Sequence, residues 1–520
     1  MDNKLSKVKT LSDLQKLINA AEENGTIEAR WEAVAAVDPQ LVQQLTHPDF
    51  VPNSANVSLL ASGTPVSPGA ASGLLCLSAE SVLAADERGD KTVLVCSETT
   101  PADEIGMRLT EGIITARGGI SSHAAVIARG WGIPAVVGIS SLEIKNDHAI
   151  FGGMKINEGE PISLDGTSGE VFSGFKEVTA SEKIPELEKL LDWADEIRGE
   201  RIGVLANADT EKDLVAALAF GAEGIGLCRT EHMFLGDQLS LIQRFLNEDD
   251  SSTENVLEEL EETQKSDFVE LFRAAGSLPV TVRLLDAPLH EFVGSSQPDS
   301  EHNPMLGTRG VRLALLRHEL YRMQARSITK AISDLVEEDR EPSVLIMIPL
   351  VVERKELQII RSWIEEEIRE TAKITGLKDL PQIGTMIETP RAALSASEIA
   401  KEADFFSFGT NDLTQMVFGF SRDDIEKEVM DEYLKLNILP ANPFKILDEE
   451  VVVPLIAAAT RAARIAKPGI EVGVCGEHGG DPASIDLLVE TGVDYVSCSP
   501  FRIPVTRLAT AQSLIRQDKN

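Results

Sequence analysis

The sequence predicts an α/β fold. A C-terminal (β/α)8 TIM-type barrel follows a smaller β-rich α/β domain and a short N-terminal helical arm. Two observations predict the barrel. From residue 201 onward, eight apolar runs each end in polar residues, and each is followed by a helical stretch. That count and alternation match a parallel barrel, in which function collects at strand C-termini. A third observation predicts the smaller domain: between about 56 and 174 the apolar runs are short and separated by Gly-rich turns. The barrel pattern also fits an open doubly wound sheet.

The arm, 1–55, carries helical periodicity at Leu11, Leu14, Leu17 and Ile18, then at Ile27, Trp31, Val34 and Ala35. Asn24-Gly25 and Asp38-Pro39 are the breaks. So few apolar positions make an arm that packs on something else. In 56–175 the strands fall at 57–60, 73–77, 92–95, 112–115, 135–137 and 162–164. Asp165-Gly166 and Ser168-Gly169 supply turns. In 176–200, the stretch 187–197 is amphipathic and follows Pro185, so it reads as a helical linker. The barrel occupies 201–520, with strands at 202–209, 224–231, 280–286, 344–350, 383–390, 405–413, 471–478 and 495–504.

The chain has 520 residues, enough for two or three domains. Its 49 Lys and Arg against 84 Asp and Glu leave a formal charge of −35, which argues against nucleic acid and anionic membrane as partners. The acidic excess lies in stretches such as 248–262 and 365–370, solvated helical faces. Cys76, Cys96, Cys228, Cys475 and Cys498 form no CxxC pair and no zinc spacing. With no apolar leader, and no run of ~18 apolar residues, this points to reduced thiols and a cytoplasmic location.

Chemistry concentrates first in TARGGISSHAAVIARGWGIPAVVG, 115–138. Gly118 and Gly119 permit a tight turn, and Ser121 or Ser122 can cap the Ala-rich helix that follows. His123 sits in its first turn, where N–H groups and the positive dipole end suit a phosphate and disfavour a charged imidazole. A neutral imidazole is what a histidine nucleophile needs. The alternative is a capping-region histidine with no further role.

In the barrel, the reactive groups fall late in their strands. Arg229, Arg283, Arg309 and Arg422 lie at or beyond strand ends, where guanidinium forks match phosphate and carboxylate; each alone also fits a surface ion pair. Glu388 and Asp412 end adjacent strands and, with water and substrate oxygens, make a Mg2+ site; loop-capping carboxylates are the alternative. Asn411 can donate to a phosphate oxygen. Cys475, in GVCGEHGG, stands beside a glycine that leaves its sulfur accessible, and a thiol near ~8.5 can exchange a proton near neutrality. A buried core thiol is the other reading. His232, His290, His302 and His478 lie near strand ends without metal spacing and read as structural.

GGISSHAAVIARG resembles the phosphohistidine signature of the phosphoenolpyruvate-utilising enzymes, which include pyruvate phosphate dikinase, phosphoenolpyruvate synthase and Enzyme I of the sugar phosphotransferase system. GAEGIGLCRTEHMF, VRLLDAPLHEF, NPMLGTRGVRL, IGTMIETPRAAL, FFSFGTNDLTQMVFGFSRDD, VCGEHGGDPAS and YVSCSPFRIPVTRLA follow in the dikinase order. The resemblance runs from about residue 30 to the end and is to the C-terminal two-thirds of pyruvate phosphate dikinase. It implies that His123 carries the phosphoryl group and Cys475 is the proton donor. By the same resemblance Arg283, Arg309, Gly409, Thr410 and Asn411 bind phosphoenolpyruvate or pyruvate, and Glu388 and Asp412 bind Mg2+. Arg229 and Arg422 match pocket arginines of the wider family. A homodimer through the barrel is the family's usual assembly.

The departures are specific. Ser121 replaces the usual threonine. The 293–302 stretch is shorter than the family's helical insertion, and 1–55 holds nothing like the dikinases' ATP-grasp domain. The expectation is therefore a half-enzyme that moves phosphate between phosphoenolpyruvate and His123, with a separate ATP-grasp subunit supplying the nucleotide half. An Enzyme I-like donor to a carrier protein is one rival, although 56–174 leave no room for a carrier-binding subdomain. A non-catalytic phosphoenolpyruvate sensor is the other.

Overall fold

The computed structural model describes residues 8–51, 57–100, 103–119, 122–179, 184–234, 238–247, 253–287 and 303–519. Ser121, His290, His302 and the 293–302 stretch lie outside them. The chain folds into two compact units. The first takes in the chain up to Ile197, with Ser421–Pro440 and the segment from Ile515; the second comprises Arg198–Phe420 and Ala441–Leu514.

In the first unit the arm is three helices, Leu11–Asn24, Ile27–Ala36 and Pro39–Leu45. Thr10, Thr26 and Asp38 cap their N-termini through side-chain oxygens, and Gly25 ends the first helix in the left-handed region at φ 72°. The arm's packing partner is the helix expected at 187–197, which runs Pro185–Arg198. Arg30 lies 3.3 Å from Glu196 and over the Trp193 ring, and Lys189 pairs with Glu22.

The β-rich domain is one eight-stranded mixed sheet. Its order is Leu59–Ser62, Glu170–Ser173, Pro161–Asp165, Ala70–Cys76, Thr92–Cys96, Gly112–Thr115, Ala135–Val137 and Thr64–Ser67. The run from Ala70–Cys76 to Ala135–Val137 is parallel. Alternate side chains feed two cores: Val93, Val95 and Ile114 enter one, Leu94 and Ile113 the other. The sequence reading missed Thr64–Ser67, Glu170–Ser173 and a separate three-stranded sheet, Leu142–Ile144, His148–Phe151 and Met154–Asn157. These strands are three or four residues long and mostly not fully buried, so they carry little periodic signal.

The second unit is a closed eight-stranded barrel: Gly203–Asn207, Ile225–Arg229, Pro279–Arg283, Ser343–Ile348, Gln382–Ile387, Phe405–Phe408, Glu471–Val474 and Tyr495–Cys498. Every neighbouring pair is parallel, and the first strand pairs with the eighth, so the sheet has no open edge. Leu227, Met347, Met386, Phe405 and Cys475 fill part of the interior. Most of the strands end before the run read from sequence does. The 405–413 run, for example, leaves the sheet at Phe408, and a helix starts at Thr410.

Candidate active site

The barrel gathers a network of charges beyond its strand C-termini. Arg283 is the last residue of the third strand; it pairs with Glu231, which follows the second strand, and lies 3.2 Å from Asp286. Arg309 grips Asp286 bidentately, Nε to Oδ1 at 3.0 Å and Nη2 to Oδ2 at 2.8 Å. Its Nη1 also donates to Asp412 Oδ1 at 3.2 Å. Burial works against the charge on both arginines, yet the surrounding carboxylates outweigh it and push both pKa values up. Both cations are therefore permanent.

Glu388 lies just past the fifth strand and is fully buried. Its Oε1 accepts from the Leu350 N–H at 2.6 Å, while Oε2 has no partner. Leu350 adopts φ 59°, uncommon for a residue with a side chain. Burial, then Asp286 and Asp412, raise the Glu388 carboxyl to about 8, against the pull of Arg309 and Arg283. An orphaned buried carboxyl oxygen beside a second carboxylate would, on losing its proton, fit a hard divalent cation. Among the described residues no group of three or more His, Cys, Asp or Glu could hold a metal. Two carboxylates alone leave coordination positions for water and substrate oxygens.

The turn after the sixth strand is packed too tightly for a side chain at Gly409. A Cβ there would meet Met386 Sδ at 2.7 Å and Glu388 Cβ at 2.9 Å. Thr410 begins the next helix; its Oγ1 lies 2.8 Å from His478 Nδ1, and His478 Nε2 lies 2.9 Å from the Pro443 carbonyl. Asn411 Oδ1 accepts from the Glu477 N–H at 3.1 Å. Side-chain bonds thus tie the start of this helix to the turn after the seventh strand, and Asp412 is carried in its first turn.

Cys475 follows that seventh strand, but it is not the accessible thiol expected. It is 2% exposed, points among Met347, Met386 and Phe405, and lies 3.7 Å from the Phe408 carbonyl. Thr410, not solvent, fills the space that Gly476 leaves beside it. Burial pushes the thiol up to about 11, so it does not titrate near neutrality.

Arg229 ends the second strand. Its N–H donates to Asp209 at 2.7 Å, and its guanidinium lies 3.9 Å from the same carboxylate, which also holds His232 Nδ1 at 2.7 Å. Arg422 belongs to the Ser421–Pro440 segment of the first unit, where its Nε lies 3.2 Å from Glu426. The barrel therefore brings together Arg283, Arg309, Glu388 and Asp412, with Gly409, Thr410, Asn411 and Cys475 on the adjoining turns.

His123 opens the helix His123–Trp131 in the first unit. Ser122 caps it, with Oγ accepting from the Ala125 N–H, and Gly118 at φ 105° makes the preceding turn. Nδ1 of His123 lies 2.9 Å from Thr99 Oγ1, and Nε2 lies 3.2 Å from Glu104 Oε1. The imidazole is held at both nitrogens yet remains 22% exposed.

Sequence reading missed Glu231, Asp286, Asp209, Thr99 and Glu104. Asp286 stands three residues past Arg283. Thr99 and Glu104 lie in the polar stretch after Thr92–Cys96, the strand beside the one leading to His123. The rule of looking just past a parallel strand, applied to the smaller domain, would have found that stretch.

The profile "PEP-utilising enzyme, PEP-binding domain" matches residues 183–515, and "PEP-utilising enzyme, mobile domain" matches 89–169. Pyruvate, phosphate dikinase 1, chloroplastic, of Arabidopsis thaliana is 45% identical over 524 residues, covering 94% of this chain and 54% of the relative. Pyruvate, phosphate dikinase of Clostridium symbiosum is 43% identical, covering 93% and 58%, and that of Rhizobium meliloti (strain 1021) is 44% identical, covering 97% and 58%. The chain thus spans somewhat over half the length of these relatives. With the PEP-binding profile alone covering more than half of its residues, the chain belongs to the phosphoenolpyruvate-utilising enzyme family.

Proposed function

We propose that this protein is a phosphotransferase that moves a phosphoryl group between phosphoenolpyruvate and His123. The observation that carries the reading is the buried Glu388 Oε2, left without a partner in the same charge network as the permanently charged Arg283 and Arg309. Arg283 and Arg309 would hold the carboxylate and phosphate of the substrate, with Arg229, Thr410 and Asn411 as further polar contacts. Gly409, with no side chain, lets the turn pack directly against Met386 and Glu388. Glu388 and Asp412 would hold Mg2+, which when bound neutralises charge on phosphoryl and enolate oxygens.

His123 Nε2 attacks phosphorus in line, forming an N–P bond as the bond to the enolate oxygen breaks. The Cys475 thiol, protonated at neutral pH, gives its proton to the methylene carbon and yields pyruvate. The arginines stabilise the departing enolate throughout. His123 must reach the barrel for this step and then serve a second donor or acceptor. Likeness to dikinases favours a nucleotide-binding subunit in that role over a carrier protein. A homodimer through the barrel and a cytoplasmic location complete the proposal.

Incubating the chain with Mg2+ and phosphate-labelled phosphoenolpyruvate tests it. Acid-labile label should appear on the wild type and vanish in His123→Ala. A wild type that binds phosphoenolpyruvate without labelling would instead mark a sensor. ATP, phosphate and pyruvate without a partner should give no net turnover.

A further inference from the structure

Both ring nitrogens of His123 have oxygen partners, and the two partners differ in what they can do. Thr99 Oγ1, 2.9 Å from Nδ1, either donates or accepts. Glu104 Oε1, 3.2 Å from Nε2, belongs to a carboxylate and only accepts when ionised. A neutral imidazole carries one proton. Facing the carboxylate, that proton belongs on Nε2, and the threonine hydroxyl then donates to Nδ1. A nucleophile needs the opposite arrangement, with a lone pair on Nε2 and the proton on Nδ1, where Thr99 would accept it.

We propose that Glu104 is a positioning residue that holds His123 in the tautomer protonated on Nε2, and that phosphoryl transfer requires this carboxylate to withdraw while Thr99 turns from donor to acceptor. The inference rests on the reading of His123 as phosphoryl acceptor. No net proton is gained or lost in the switch: the imidazole loses one from Nε2 and regains one at Nδ1 by exchange with water. The geometry permits it. Glu104 begins a six-residue helix, its side chain is 36% exposed, and its described partner is the ring itself, so withdrawal to solvent breaks one hydrogen bond. Thr99 is buried and stays in place to orient the ring in either state. The carboxylate would also repel an arriving phosphoryl group, so the contact and the phosphohistidine exclude one another.

The test is the ring-nitrogen signature of His123 in the 520-residue chain. It is read by long-range proton–nitrogen NMR at alkaline pH. The chain has eight histidines, and the signal lost in His123→Gln assigns the one in question. The wild type should show a protonated Nε2 and an unprotonated Nδ1. Both Glu104→Ala and Glu104→Gln should move the population toward protonated Nδ1, and each should speed labelling by phosphoenolpyruvate by roughly three- to tenfold. A wild-type ring already protonated on Nδ1, or a population unmoved by both substitutions, overturns the proposal. A wild type that never labels defeats the phosphotransfer reading alone, because the tautomer signal still decides the role of Glu104.

Discussion

In the proposed mechanism Cys475 would set the proton chemistry through burial rather than reactivity. A thiol raised to about 11 stays protonated at neutral pH, which suits donation to an enolate and hinders abstraction from pyruvate. The sign follows directly: below about 11 the thiolate fraction grows tenfold with each pH unit. Exchange of the pyruvate methyl protons with solvent should therefore rise roughly tenfold per unit between about pH 7 and 9. Cys475→Ala should abolish that exchange while leaving the NMR signature of His123 unchanged; deuterium incorporation measured by mass spectrometry checks both the slope and the loss. Burial of this kind was not legible in GVCGEHGG, because a glycine neighbour reads as open space until the residue filling it is known. Here that residue is Thr410, 65 positions earlier in the chain.

At the scale of elements, the site depends on two turns that lock together. The turn after the seventh strand leans on the first residues of the helix Thr410–Phe418, through His478 to Thr410 and Glu477 to Asn411. A Cβ at Gly476 would overlap Thr410 Oγ1 and come within 2.9 Å of its backbone nitrogen. Gly476→Ala should therefore destabilise the fold by about 1–3 kcal/mol, read as a lower urea midpoint at an unchanged slope. It should also weaken phosphoenolpyruvate binding, because Asn411 and Asp412 ride on the displaced helix. The eight barrel strands were legible because each is a continuous apolar run that ends in polar residues. The short strands of the smaller domain were not, since three or four partly buried residues give too little alternation to separate from a loop.

For the whole molecule, a charge of −35 sets the background for any cation effect. Screening of self-repulsion by ordinary salt should raise stability modestly and without specificity. A bound Mg2+ should add to this by mass action, about 2.7 kcal/mol at a hundred times its dissociation constant. Thermal unfolding at constant ionic strength should thus show a Mg2+-dependent rise in Tm in the wild type. Glu388→Gln should lose that rise; an equal rise in both proteins would remove Glu388 from the metal site.

Sequence alone determined the parallel alternation of the barrel, the glycine turn and capped helix that present His123, and the positions of Arg283 and Glu388 at or just past strand ends. These are local facts, written in apolar periodicity and in residue types at the ends of runs. Tertiary structure alone decided that Asp286 and Asp412 share Arg309, that Glu388 keeps one oxygen without a partner, that Cys475 is sealed from water, and that His123 faces Glu104. Desolvation and pairing between residues tens to more than a hundred positions apart come into being only when the chain folds, and they, rather than residue identity, set the charge and reactivity of each group.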